Sequence, residues 1–261
     1  MPRIGIVIPA CDEEPCIGGV LEELLAAIDP ATYAIALGVN GSSDRTAEIG
    51  RRYPIVVAET SARGYGHGCM AAIAALRREV PSVDAYIFFA ADGASDPRDV
   101  PRLAAAYGRG SDFVLGSRTG LRTNWPSMKL SHVIANCGLG IWCTLLTGRW
   151  FTDLGPLRLI ERRLFEAMDL RELTYGWTIE SQISAAHLGA RICQLRVHER
   201  PRLAGTQKVS GVSWRRTFSI GCRIVAAGWR TDLRFARRIS ELPPQAAPDL
   251  LPQTQARTPA V

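Results

Sequence analysis

Between residues 4 and 116, short apolar runs alternate with segments of helical character, and this rhythm restricts the fold more than any other feature of the chain. The apolar runs cover 4–9, 33–39, 55–58, 85–90 and 112–116, and the segments between them cover 17–28, 44–52, 65–78 and 97–107. An unbroken apolar run suits a strand buried on both faces, as in a parallel sheet. Parallel neighbours require crossovers, and a series of right-handed βαβ units builds an α/β, doubly wound, mostly parallel sheet flanked by helices. Loops after the strands then converge on one edge, where such sheets bind ligands.

Four of those loops carry chemistry. The 85–90 run ends in Phe88-Phe89-Ala90-Ala91-Asp92-Gly93-Ala94-Ser95-Asp96-Pro97, and a carboxylate such as Asp92 can hold Mg²⁺ or Mn²⁺ against a phosphate. A second carboxylate two residues earlier would hold it better, but that position is Ala90. The first run ends in Ile8-Pro9-Ala10-Cys11-Asp12-Glu13-Glu14-Pro15, whose carboxylates can cap a helix or meet a nucleotide base. The second ends in Gly38-Val39-Asn40-Gly41-Ser42-Ser43-Asp44-Arg45-Thr46, a turn with Ser43 or Asp44 as a helix cap. In Arg63-Gly64-Tyr65-Gly66-His67-Gly68, glycines lead into a helix and let backbone N–H groups and Arg63 approach a diphosphate.

After Arg118 the alternation stops. A polar loop is followed by a helix over 130–146, a loop through Asp153, a helix over 178–188 and a strand over 192–197. The 130–148 stretch barely reaches membrane-spanning length and contains Ser131, His132, Asn136 and several glycines, so an ordinary or interfacial helix is expected. The 212–229 stretch mixes apolar residues with Arg215, Arg216 and Arg223, as in an amphipathic helix on a membrane or a soluble helix with a charged face. Five prolines beyond Glu241 point to a disordered tail over 241–261. The net charge of +6, concentrated after Arg191, suits an anionic ligand or anionic membrane, and no nucleic-acid partner is expected. Seven scattered cysteines without metal spacing, and a strand starting at the N-terminus, suggest reduced thiols and a cytoplasmic chain without a signal peptide.

Taken together, the loops resemble glycosyltransferase family 2, which has the GT-A fold. The family's Ile-Pro-Ala-Tyr-Asn-Glu-Glu is matched by Ile8 to Glu14, its Asp-Asn-Gly-Ser loop by Val39 to Ser42, and its Asp-Ala-Asp-Gly turn by Ala90 to Gly93. The resemblance continues through Gly116-Ser117-Arg118, Thr152 to Arg158, Thr174 to Glu180, and Arg202 with Lys208-Val209-Ser210-Gly211; these late motifs are similar to the dolichyl-phosphate mannose synthase-like branch. It implies a glycosyltransferase domain over 1–211, with a nucleotide-sugar half (1–117) and an acceptor half (118–211), followed by an amphipathic helix over 212–240.

By this resemblance, Pro9, Ala10, Asp12, Glu14, Asn40, Arg63, Gly64, Ala91, Asp92, Arg202 and Lys208 form the donor site, with a divalent metal on Asp92. Asp153 and Glu180 are the implied bases, and Arg118, Arg158 and Trp177 line the acceptor side. The expected reaction is inverting transfer from a nucleotide-diphosphate sugar to a polyprenyl phosphate or a small hydroxyl acceptor, at the inner membrane face. Val39 and Ala90 depart from the family pattern, which leaves an atypical donor, or a non-catalytic nucleotide-sugar-binding homologue, as alternatives.

Overall fold

A computed structural model describes residues 3–128, 130–205 and 214–240. Lys208 and the 241–261 segment lie outside the described residues. Seven strands, β1 (Arg3–Ala10), β2 (Tyr33–Asn40), β3 (Val56–Thr60), β4 (Val83–Phe88), β5 (Phe113–Ser117), β6 (Arg158–Glu161) and β7 (Ile192–Arg196), form one sheet. Their order is β3-β2-β1-β4-β6-β5-β7. The helices are α1 (Glu14–Ala27), α2 (Thr46–Gly50), α3 (Tyr65–Glu79), α4 (Asp99–Gly108), α5 (Leu130–Thr147), α6 (Arg162–Met168), α7 (Trp177–His187) and α8 (Trp214–Ser240).

The apolar runs produce two cores because side chains alternate across a strand. Along β1, Ile4, Ile6 and Ile8 enter the core shared with α1 and α4, while Val7 enters the core shared with α3 and α7. Along β4, Ala85 and Ile87 face the first core, and Tyr86 and Phe88 the second. β1, β2, β3 and β4 are parallel neighbours in the order β3-β2-β1-β4. Strand order therefore reverses between β1 and β4, which opens a crevice at their C-terminal ends.

Two elements differ from the sequence expectation. β4 ends at Phe88 rather than Ala90, although the Phe89 N–H still donates to the Val7 carbonyl at 2.9 Å. β6, unforeseen, runs antiparallel between β4 and β5. The sheet is thus mixed, with an antiparallel strand separating the donor-side strands from β5 and β7.

One close approach positions the site. A Cβ on Gly38 would lie 2.0 Å from the Gly68 carbonyl oxygen, so β2 and α3 meet backbone to backbone. That contact brings the start of α3 beside Asn40, where a Cβ on Gly68 would meet the Asn40 side-chain oxygen at 2.7 Å. Gly228 lets α8 pack against the Ile179 and Ile183 side chains of α7, which a Cβ would meet at 3.0 and 3.2 Å.

Candidate active site

The loops after β1, β2, β3 and β4 meet around the crevice. Asp12 has φ 52°, and its carboxylate accepts from the Ser43 N–H at 2.6 Å and the Ser43 hydroxyl at 3.1 Å. Arg63 donates from Nε to the Gly41 carbonyl at 3.1 Å and lies 3.7 Å from Asp12. Pro9 and Ala10 are buried at the end of β1, and Asn40 is buried at the end of β2. Gly64 precedes α3 at φ 150°, with no side-chain cap on that helix start.

The far wall is built by the chain after β7. Residues 198–203 run along the 92–95 turn: Ser95 and Glu199 form a β-bridge, Arg200 N–H donates to the Ala94 carbonyl at 2.8 Å, and Leu203 N–H to the Asp92 carbonyl at 3.1 Å. The turn needs glycine, since Gly93 has φ 78° and a Cβ there would come within 2.4 Å of Leu203 Cγ. Arg202 is thereby delivered into the crevice. Its Nη2 donates to Glu13 at 2.6 Å and its Nη1 to Asp92 at 3.0 Å, so one guanidinium joins the loops after β1 and β4.

At this turn Asp92 is the one carboxylate where a metal was expected. Asp92 Oδ1 accepts from the Ala94 N–H at 3.0 Å, and Oδ2 accepts from Arg202. Ala90 and Ala94 offer no side-chain ligand. Among the described residues, no group of three or more His, Cys, Asp or Glu is arranged to hold a metal ion.

Other expected site residues are placed elsewhere. Glu14 turns outward to Arg45 at 2.5 Å, a hydrogen bond that holds its carboxyl below the usual range. Ala91 is buried beside Asp92. Asp153 is fully buried, with Oδ2 accepting from the Arg118 N–H at 2.7 Å and Oδ1 from Arg118 Nη2 at 3.0 Å and the Leu154 N–H at 2.7 Å. Glu180, the other implied base, is buried as well. It is 1% exposed and accepts from the Arg171 and Glu172 N–H groups and from Arg234 of α8 at 2.9 Å. Burial raises its pKa against the pull of these donors.

Arg158 and Trp177 also lie inside. Arg158 donates to the Thr178 carbonyl and the Ser181 hydroxyl, each at 2.7 Å, and to the Gly155 carbonyl. Burial among neutral oxygens brings its pKa down to about 10. Trp177, expected to line the acceptor side, is 1% exposed and packs edge-on against Phe88 within the second core, with centroids 6.0 Å apart. Arg118 keeps its charge despite burial because Asp153 and Glu199 more than offset the loss of water.

Glu13, Glu199 and Arg200 escaped the sequence reading. Glu13 stood inside a recognised loop, between residues that drew more notice, whereas Glu199 has no local motif. Its carboxylate lies 3.4 Å from Arg118, and burial pushes its pKa up to about 7, with Arg118 opposing and Asp92 and Asp153 reinforcing the shift. An acid whose pKa rises on folding costs stability once ionised: the penalty is absent below its ordinary value of 4.5 and complete above about 7. That gap, at about 1.4 kcal/mol per unit, is on the order of 3 kcal/mol. Melting curves are therefore expected to show the wild type losing stability relative to Glu199→Gln between about pH 5 and about pH 8. Parallel profiles would contradict the shifted pKa.

Comparisons with known proteins bear on this geometry. The model of the family described as "Glycosyl transferase family 2" matches residues 5–171. An uncharacterised glycosyltransferase of Mycobacterium tuberculosis is 30% identical over 212 residues, covering 80% of this chain and 90% of that protein. An undecaprenyl-phosphate 4-deoxy-4-formamido-L-arabinose transferase of Edwardsiella ictaluri is 33% identical over 173 residues, 63% of this chain and 51% of that protein. This chain thus spans about half the length of that second relative. Among solved structures, glucosyl-3-phosphoglycerate synthase of Mycobacterium tuberculosis with Mn²⁺, uridine diphosphate and phosphoglyceric acid superposes with a TM-score of 0.66 at 19% identity, covering 88% of this chain and 78% of that one. The likeness shows a GT-A fold.

Proposed function

Because the chain belongs to glycosyltransferase family 2, we propose that it is an inverting enzyme that moves a sugar from a nucleoside diphosphate to a polyprenyl phosphate at an anionic membrane surface. The observation that carries the donor half is the convergence of Asp12, Asn40, Arg63, Asp92 and Arg202 on the β1/β4 crevice. Asp12 and Asn40 suit the hydrogen-bonding edge of a base, and Arg63 and Arg202 suit a diphosphate. In the transfer, the anomeric C–O bond breaks with its electron pair passing to the diphosphate oxygen. An acceptor oxygen forms the new bond from the opposite face.

The acceptor half rests on what the carboxylates are doing. A hydroxyl acceptor needs a base within reach of its proton. Asp153 and Glu180 are both buried and occupied by N–H donors and an arginine. A phosphate acceptor arrives ionised and needs neither of them. Relatives named for undecaprenyl-phosphate and dolichol-phosphate transfer support the same class.

Support for the membrane comes from α5 and α8. α5 is long and apolar enough to cross a bilayer, with mean hydropathy 1.4, yet it packs Val133, Gly140 and Cys143 onto the protein. Its other face exposes Leu130, Ile134, Ile141 and Leu145, and α8 exposes Phe218, Val225, Trp229 and Leu233. Trp142 and Trp229 stack at 6.2 Å beside an apolar groove of about 800 Å³ between the two helices. Arg223, Arg230 and Arg237 are exposed on α8, a pattern suited to anionic headgroups.

The test is transfer of labelled sugar from uridine- and guanosine-diphosphate donors into the organic phase, with undecaprenyl phosphate in phosphatidylglycerol vesicles. Leu145→Glu with Trp229→Glu is expected to weaken vesicle flotation about tenfold or more, as two anchoring side chains leave the interface. Transfer only to water-soluble hydroxyl acceptors, with no flotation, would overturn the acceptor and membrane parts.

A further inference from the structure

Building on that donor reading, we infer that Arg202 supplies at the leaving diphosphate the positive charge that the family's Asp-Ala-Asp-Gly turn recruits from a divalent cation, so this chain binds its nucleotide without a metal.

Three independent features carry the inference. The first is the donor set: Ala90 and Ala94 carry methyl groups on either side of Asp92, and both Asp92 oxygens are already engaged. The second is where Arg202 stands. Its two terminal nitrogens reach Glu13 after β1 and Asp92 after β4, the walls of the crevice where a doubly wound sheet holds its ligand. The third is how it is held. The 198–203 segment is bound to the 92–95 turn by the Ser95/Glu199 bridge and by the Arg200 and Leu203 N–H groups, and Arg200 Nη2 donates to Glu23 at 2.6 Å. The guanidinium is therefore fixed before any ligand arrives, and preorganised donors are the ones that stabilise a developing charge.

The chemistry balances without a cation. As the glycosidic bond breaks, the diphosphate gains one negative charge, and Arg202, with one N–H of each terminal nitrogen held by Asp92 and Glu13, has the other N–H of each left for the phosphate oxygens. Arg63, 69% exposed on the opposite rim, adds a second positive charge. Glu13 and Asp92 then act as positioning residues for Arg202.

The experiment is calorimetric titration of the full chain with uridine diphosphate and guanosine diphosphate, in excess EDTA and again with Mn²⁺. Wild type is expected to bind one of them with affinities within about threefold in the two conditions. Arg202→Ala should lose about ten- to a hundredfold in EDTA, the loss expected for charge-assisted hydrogen bonds. Arg202→Lys, which keeps the charge without the fork, should fall between them and controls for misfolding. Ala90→Asp should make binding rise with Mn²⁺ where wild type does not respond. Wild-type binding that requires Mn²⁺ and disappears in EDTA overturns the inference while leaving the donor reading intact. Wild type that binds neither nucleotide in either condition overturns both.

Discussion

Arg118→Ala is expected to lower the unfolding free energy by roughly 3–5 kcal/mol, the usual cost of removing one partner of a buried ion pair. Arg118 is 11% exposed and its guanidinium serves three elements: Asp153 in the loop before β6, Glu199 after β7, and Asn136 of α5 at 3.1 Å. Without it, Asp153 stays fully buried with only backbone donors, and Glu199 loses its nearest positive charge. For a domain of this size the melting temperature should drop by about 10 °C or more. Arg118→Lys should recover only part, because one ammonium cannot hold both Asp153 oxygens as the fork does. Urea unfolding of the two variants beside wild type measures this directly. An unchanged midpoint for Arg118→Ala would mean that the Asp153 charge is compensated by its N–H donors alone.

That network explains why the acceptor half was harder to read from sequence than the donor half. In the donor half each functional loop follows its own strand, so the period of the apolar runs announces where Asp12, Asn40 and Asp92 will stand. β6 announces nothing comparable. It is four residues long and begins with Arg158, a charge in the middle of a sheet, tolerated because Thr178, Ser181 and Gly155 supply oxygens across the second core. Asp153 and Glu180 carried the right chemistry for a base, but their burial depends on Arg118 and Arg234, which lie 35 and 54 residues away in the chain. Arg202 shows the opposite case. Its motif pointed to a diphosphate, while the Glu13 and Asp92 contacts that give it a second meaning emerge only when the chain after β7 folds along the turn.

The second large effect expected is stabilisation by nucleotide, since a ligand that binds only the native state raises its stability in proportion to the logarithm of its concentration over Kd. The crevice is lined by groups on five separate segments, after β1, β2, β3, β4 and β7, held by Asp12–Ser43, Arg63–Gly41, Arg202–Glu13 and Arg202–Asp92 contacts. A nucleoside diphosphate bridging those loops adds contacts that the unfolded chain cannot offer. At a thousandfold excess over Kd the gain is about 4 kcal/mol, or several degrees in melting temperature. The base that produces the largest shift identifies the donor class.

Thermal melting of the full chain against a panel of nucleoside diphosphates, in EDTA, therefore bears most directly on the claim that the β1/β4 crevice is a nucleotide-sugar donor site. The account predicts that one base raises the melting temperature, and that Arg202→Ala reduces the rise. A flat response to every nucleotide, in EDTA and with Mn²⁺ alike, would contradict it.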